Sequence, residues 1–207
     1  MKRPALVLVL LVFILSACAS QKNAQILQSH PYYDTFSKAF SAVCYHNGMD
    51  ASQFQIGILD TDVVNAWAGH KGVMLSRGFI ERNPPEYVLK SVISHELAHI
   101  KLEHADKRYA TSAGISAVFM VAGMVVPGLG LANYLVNPTI TSAFSRSQEL
   151  EADLMAVTFC TNAGVTREQF IETLQWTARE AGNPKVFALW ATHPSIEDRI
   201  KNVLGNH

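Results

Sequence analysis

The chain has 207 residues, with 17 basic and 17 acidic side chains and a formal net charge of zero at pH 7. It carries no basic stripe and no nucleic-acid-binding motif, so we expect no nucleic acid among its partners. The length suits a single domain with a full hydrophobic core, and we find no internal repeat.

The first 17 residues have the three regions of a secretory signal peptide. A basic start precedes an apolar run over residues 5–15, which is too short for a transmembrane helix. The run ends in Leu15-Ser16-Ala17-Cys18, which resembles a bacterial lipobox. We therefore predict cleavage before Cys18, lipidation of that cysteine and a polar tether over residues 18–30. Because no aspartate follows the cysteine, we expect an outer-membrane lipoprotein that faces the periplasm of a Gram-negative bacterium. An ordinary signal peptide with an incidental cysteine is the alternative.

The remaining chain, residues 31–207, is predicted to form one α+β domain dominated by helix. Periodicity and turn residues predict a helix over 31–46, extended segments over 55–59, 63–68 and 72–76, and helices thereafter. We expect the stretch Val73 to Ser76 to form an exposed sheet edge, which is a place where an extended peptide can add as a further strand.

The next predicted helix carries the run His95-Glu96-Leu97-Ala98-His99. Asn83 is the expected N-cap and Pro84 the expected first helical residue, and apolar residues then recur at helical spacing. Histidines four residues apart share one helix face. Two neutral imidazoles and a carboxylate buried together fit a zinc ion, with the carboxylate activating water. Two hydrogen-bonded structural histidines are the alternative.

A third zinc ligand is expected from the later helical segment that contains Glu149 and Asp153. These two carboxylates share a face, so Glu149 is predicted to bind the metal and Asp153 to accept the free N–H of a ligating imidazole. Glu151 points to the opposite side and is expected in solvent. His104 is interpreted as a surface or structural residue, and an ordinary charged helix face is the alternative for the whole segment.

Together these motifs resemble the M48 family of zinc metallopeptidases, over about residues 35–204. The resemblance rests on the order and spacing of His95-Glu96-Leu97-Ala98-His99, Glu149-Leu150-Glu151-Ala152-Asp153, Thr192-His193-Pro194 and an Asn-Ala hairpin near residues 64–78. It implies a mainly helical, zincin-like domain with a small β-sheet beside the active-site helix. It also implies one zinc ion held by His95, His99 and Glu149, with Glu96 as the general base.

His193 is our second candidate catalytic residue, because peptide hydrolysis requires a group that stabilises the developing oxyanion. The resemblance to lipoprotein-like relatives implies another role, in which this histidine approaches the metal and blocks it. A purely structural His-Pro turn is an equal alternative. Arg199 is expected to pair with an acidic residue such as Asp153.

Two further features follow from export. Cys44 and Cys160 form an even pair in an oxidising compartment, so a disulfide is predicted, with buried free thiols as the alternative. Residues 111–145 contain no charged side chain and are long enough to span a membrane. Pro127 and several glycines interrupt this segment near its middle, so we favour a helical hairpin against the active-site helix or over the cleft. Any exposed part of it would contact membrane or unfolded apolar substrate.

The sequence therefore predicts a lipid-anchored zinc endopeptidase, and the resemblance implies misfolded or misassembled envelope proteins as its substrates. The expected partners are such proteins, the membrane through the lipid at Cys18, and envelope assembly machinery. A chaperone-like assembly factor with a latent or gated zinc site is the alternative. A zinc hydrolase acting on a cell-wall amide is a weaker one, because nothing resembles a sugar-binding platform.

Overall fold

The structure is a computed structural model that describes residues 27, 29–62, 64–68, 72–104, 144–181 and 196–205. The predicted signal peptide, the lipidation site Cys18, residues 111–143 and the candidate catalytic residue His193 lie outside the described residues. Predictions on those positions stay predictions.

Among the described elements, one long helix precedes the three strands and the other helices follow them. In chain order they are α1 (Tyr33–His46), a 3₁₀ turn (Ala51–Gln53), β1 (Gln55–Leu59), β2 (Ala66–Ala68), β3 (Gly72–Ser76), α2 (Arg77–Ile80), α3 (Glu86–Lys101), α4 (Arg146–Asn162), α5 (Arg167–Ala181) and α6 (Ile196–Leu204). The layout is α+β and mainly helical, as predicted. Within these ranges no helix is both long and apolar enough to cross a bilayer.

The three strands form one mixed sheet in the order β1-β3-β2. β3 is parallel to β1, with Gln55 opposite Gly72, and antiparallel to β2, with Ala66 opposite Leu75. The prediction that Val73 to Ser76 forms an exposed edge is therefore wrong, since both sides of this strand are already hydrogen-bonded. Four of the five β3 residues are buried, as is typical of a central strand.

Two apolar clusters hold the helix α3 in place. The first joins α1, the sheet and α3, and includes Phe36, Phe40, Val43, Ile58, Leu75, Leu89, Ile93 and Leu97. The second joins α4, α5 and α6 to α3, and includes Ala98, Ala152, Ala156, Phe170, Leu174 and Val203. Because α3 contributes to both clusters, its orientation is fixed from two sides, and so is any side chain it presents toward α4.

The predicted disulfide is not formed in this structure, where Cys44 and Cys160 are both free and buried. Cys44 packs in the first cluster and Cys160 in the second, where its thiol donates to Ser91 Oγ at 3.7 Å. Burial raises the pKa of both thiols, that of Cys44 to about 11. The pair therefore behaves as the small buried hydrophobes that were the alternative.

The helix starts differ from prediction at α3 and are well defined at α4. α3 begins at Glu86, with Pro85 at the N-cap and no side-chain cap. The predicted cap Asn83 instead has a φ of 47°, in the left-handed region, after the end of α2. At α4, Ser145 and Gln148 form a reciprocal capping box, which fixes the first turn of the helix that carries the carboxylates.

Candidate metal centre

Three predicted ligands converge between α3 and α4. His95 Nε2 lies 3.1 Å from His99 Nε2 and 3.3 Å from Glu149 Oε2, and His99 Nε2 lies 3.6 Å from Glu149 Oε1. The two histidines meet because they are one helical turn apart, and Glu149 reaches them because α4 packs along α3. Glu149 is fully buried, so its carboxylate lies in the contact between the two helices.

The spacing and chemistry of these atoms fit a zinc ion. A tetrahedral zinc ion with bonds of about 2.0–2.1 Å places its ligand atoms roughly 3.3–3.4 Å apart. The three observed separations of 3.1, 3.3 and 3.6 Å lie around that value. Two imidazole nitrogens with one carboxylate oxygen are also a donor set of catalytic zinc sites, which keep a further position for water. Among the described residues this is the cluster that could hold a metal ion.

The predicted support of His95 is present. Its Nδ1 lies 3.1 Å from Asp153 Oδ1, and Arg199 donates to both oxygens of that carboxylate at 2.7 and 2.6 Å. A carboxylate can only accept, so the Nδ1 of His95 carries a proton toward Asp153, and Nε2 is left as the nitrogen that would bind a metal ion. Two contacts predicted from the sequence are therefore present: Asp153 with a ligating imidazole, here that of His95, and Arg199 with Asp153.

Burial and hydrogen bonding act in opposite directions on the pKa values of His95 and Asp153. Burial alone would lower the pKa of His95, but hydrogen bonds with Asp153 and Glu149 outweigh it and raise this pKa to about 9. Burial alone would raise the pKa of Asp153, and the Arg199 guanidinium lowers it on balance. Without a metal, the His95 ring therefore carries protons on both nitrogens at neutral pH. A cation that binds at Nε2 must displace the second of these protons.

The support of His99 was not predicted. His99 Nδ1 lies 3.1 Å from His104 Nδ1, and His104 Nε2 lies 3.2 Å from Glu151 Oε2. The ring of Phe144 stacks on His99, with centroids 3.7 Å apart and planes 13° from parallel. Of the two roles predicted for His104, surface or structural, the surface one is wrong, since this residue is only 2% exposed.

Helix geometry explains the missed contact. Five residues beyond His99 on a continuous helix, His104 would point about 140° away from it. The helix instead ends at Lys101, and Glu103 takes a φ of 59°, in the left-handed region. This turn brings His104 back toward His99. A glycine or an asparagine at position 103 would have predicted such a left-handed turn, whereas a glutamate does not.

Glu96, the predicted general base, is 8% exposed and follows His95 on α3. Burial lowers the pKa of Arg199, but the carboxylates of Asp153, Glu149 and Glu96 raise it on balance. The site thus combines three carboxylates with one guanidinium, an excess of negative charge that favours a bound divalent cation.

This arrangement defines a class of protein. Two histidines one turn apart, a glutamate between them, a third ligand from a neighbouring helix and a small sheet packed on the first helix are the features of zincin-like, metal-dependent hydrolases. Comparison with known families gives the particular one. The profile of Peptidase family M48 matches residues 36–206, so the chain belongs to this family of metallopeptidases.

The chain is also similar to two known proteins. The chain is 25% identical over 182 residues to "Mitochondrial metalloendopeptidase OMA1" of Schizosaccharomyces pombe, covering 84% of this chain and 52% of that protein. It is 31% identical over 155 residues to "Putative beta-barrel assembly-enhancing protease" of Vibrio cholerae, covering 66% of this chain and 31% of that protein. The chain thus matches about half the length of the first relative and about a third of the second.

Proposed function

We propose that this chain is a zinc-dependent endopeptidase that cleaves unfolded or misassembled proteins of the bacterial envelope. The observation that carries the proposal is the convergence, within 3.1–3.6 Å, of two Nε2 atoms from the helix that also bears Glu96 and a carboxylate from α4. Membership of a metallopeptidase family supports peptide bonds as the target.

The residues divide the chemistry between them. A zinc ion bound at this site would supply a Lewis acid that makes water nucleophilic near neutral pH. Glu96 accepts the proton of the attacking water and returns it to the leaving amine. His95 and His99 present their Nε2 lone pairs because their Nδ1 atoms face hydrogen-bond partners on the other side. His193 is the proposed oxyanion stabiliser or gate, on the resemblance alone.

The sheet suggests how a substrate is held. β2 lies at one end of the sheet and packs against α3, whereas β3 is paired on both sides. An extended peptide would add to the sheet at β2 and receive main-chain hydrogen bonds beside the site. Such pairing requires a substrate segment without structure of its own, which favours unfolded proteins over folded ones.

The proposed location rests on the N-terminal sequence. A signal peptide over residues 1–17, lipidation at Cys18 and a tether over 18–30 would place the domain of residues 31–207 at the periplasmic face of the outer membrane. The name of the Vibrio cholerae relative, which refers to beta-barrel assembly, supports an envelope role and also keeps the assembly-factor alternative open.

Cleavage of casein by the full mature chain in detergent tests the proposal. Zinc-loaded wild type is compared with Glu96→Gln, which keeps the size of the side chain and removes the base, and with His193→Ala. We expect casein cleavage by wild type, a loss of at least about 100-fold in Glu96→Gln, and one zinc per chain in all three proteins. Faster cleavage by His193→Ala would identify that residue as a gate.

Two results would contradict the proposal. Absence of bound zinc in the wild type would remove its chemical basis. One zinc per chain with no cleavage by any of the proteins would favour the assembly factor, whose cellular function Glu96→Gln would leave intact.

A further inference from the structure

A chain of three polar side chains runs from the centre of the site to the surface on the side away from Asp153. His99 Nδ1 meets His104 Nδ1 at 3.1 Å, and His104 Nε2 meets Glu151 Oε2 at 3.2 Å. His104 is buried, whereas the Glu151 side chain is 60% exposed. The chain therefore connects a buried imidazole of the metal centre to a carboxylate in solvent.

With His104 in its neutral form, the Glu151 carboxylate sets the direction of both hydrogen bonds. The Glu151 carboxylate can only accept, so the Nε2 of a neutral His104 carries its proton. The Nδ1 of His104 is then a lone pair and accepts the Nδ1 proton of His99. His99 is left with a lone pair on Nε2, the atom that faces His95 Nε2 at 3.1 Å.

Both imidazoles of the site thus obtain the same tautomer by different means. His95 donates from Nδ1 directly to Asp153. His99 donates from Nδ1 to His104, which in turn donates from Nε2 to Glu151. The two terminal acceptors and the ligand Glu149 all belong to α4, within two turns of that helix. Docking of α4 on α3 therefore brings the third ligand and orients both histidines in one step.

We propose that His104 and Glu151 are positioning residues that hold His99 in the tautomer and orientation needed to bind the metal. Hydrogen-bonded partners of this kind raise the basicity of a ligating imidazole and restrict the rotation of its ring. Phe144 restricts the same ring from its face. The inference depends on the zinc site proposed above, and it concerns metal affinity rather than peptide cleavage.

Zinc affinity of the full mature chain, measured by competition with a chromogenic chelator, tests the inference. His104→Phe keeps an aromatic ring beside Phe144 and removes both nitrogens, and we expect the Kd for zinc to rise about 10- to 100-fold. His104→Gln can still accept from His99 and donate to Glu151, so its Kd is expected to lie between those of wild type and His104→Phe. Glu172→Gln makes the same kind of change at an exposed carboxylate on α5 and serves as the matched control, with an unchanged Kd.

A second readout separates positioning from simple support of the fold. The cobalt(II)-loaded His104→Phe and Glu151→Ala proteins should show altered visible absorption bands, while the metal-free proteins unfold within a few degrees of wild type. If His104→Phe fails to fold, Glu151→Ala and His104→Gln still report on the hydrogen bonds from His99 through His104 to Glu151. Altered bands and weaker binding in these two would support the inference.

Wild-type zinc affinity and cobalt spectra in both His104→Phe and Glu151→Ala would overturn the inference while leaving the zinc site standing. A wild-type chain that binds no zinc would overturn the inference together with the proposed function. A chain that binds zinc, loses affinity in these variants and cleaves no casein would support the inference and contradict the peptidase.

Discussion

Removal of the Arg199 side chain is expected to destabilise the domain strongly, because it leaves the Asp153 charge buried. Arg199 donates two hydrogen bonds to Asp153, at 2.7 and 2.6 Å, and both side chains are almost fully buried. In Arg199→Met the carboxylate keeps the protonated His95 ring, whose Nδ1 lies 3.1 Å away, but loses the guanidinium and both of its hydrogen bonds.

The size of the effect follows from that burial. Removing one partner of a buried ion pair typically costs about 3–5 kcal/mol of unfolding free energy. In a domain of this size each kcal/mol lowers the unfolding midpoint by about 2–4 °C, so Arg199→Met should unfold roughly 6–20 °C below wild type. Arg199→Lys keeps the charge but cannot make two parallel hydrogen bonds, and it should fall in between.

Thermal unfolding of the metal-free proteins, followed by circular dichroism, measures the effect. The double variant Asp153→Leu with Arg199→Met removes both charges, so it should lose less stability than the two single variants added together. A loss below about 1 kcal/mol in Arg199→Met, or strictly additive losses in the double variant, would refute the argument that the pair is buried and coupled.

Two further predictions concern protonation and packing. Because the pKa of His95 is raised to about 9 in the metal-free fold, its stabilising effect is complete below pH 6.5 and is lost as the pH rises toward 9. The unfolding midpoint of the metal-free protein should fall over that window, and His95→Gln should flatten the fall. Zinc must displace the same proton, so its affinity should rise about tenfold per pH unit below pH 9, and equal calorimetric affinities at pH 6.5 and 8 would contradict this. In Gly72→Ala the new Cβ would lie 2.6 Å from the backbone oxygen of Gln55, so the two paired strands must shift. We expect a loss of roughly 1–3 kcal/mol in urea unfolding, and wild-type stability would show that the strands separate more easily than their register implies.

The part of the site that the sequence predicted is the part that depends on helix periodicity. His95 and His99, like Glu149 and Asp153, are four residues apart, so each pair lies on one face of its helix whatever the rest of the fold does. The resemblance to the M48 family then predicted that the two helices contribute to one site, and in the structure His95, His99 and Glu149 do lie together.

The missed features depend on contacts between distant segments or on one unusual backbone angle. Strand periodicity located β1 and β3 correctly, but no local signal states which strand lies between the others. The free thiols of Cys44 and Cys160 reflect which side of α3 each helix packs on. The burial of His104 follows from the left-handed turn at Glu103, which the residue type does not favour.

Because the proposed zinc ligands are divided between α3 and α4, the site is complete only after both helices have packed together. His95 and His99 lie on one helix, while Glu149 follows fifty positions after His99 on another. A partly folded chain therefore has two ligands in place and lacks the third until α4 docks. For the proposed peptidase of unfolded proteins, a site that is complete only in the finished fold would keep newly made copies from degrading one another.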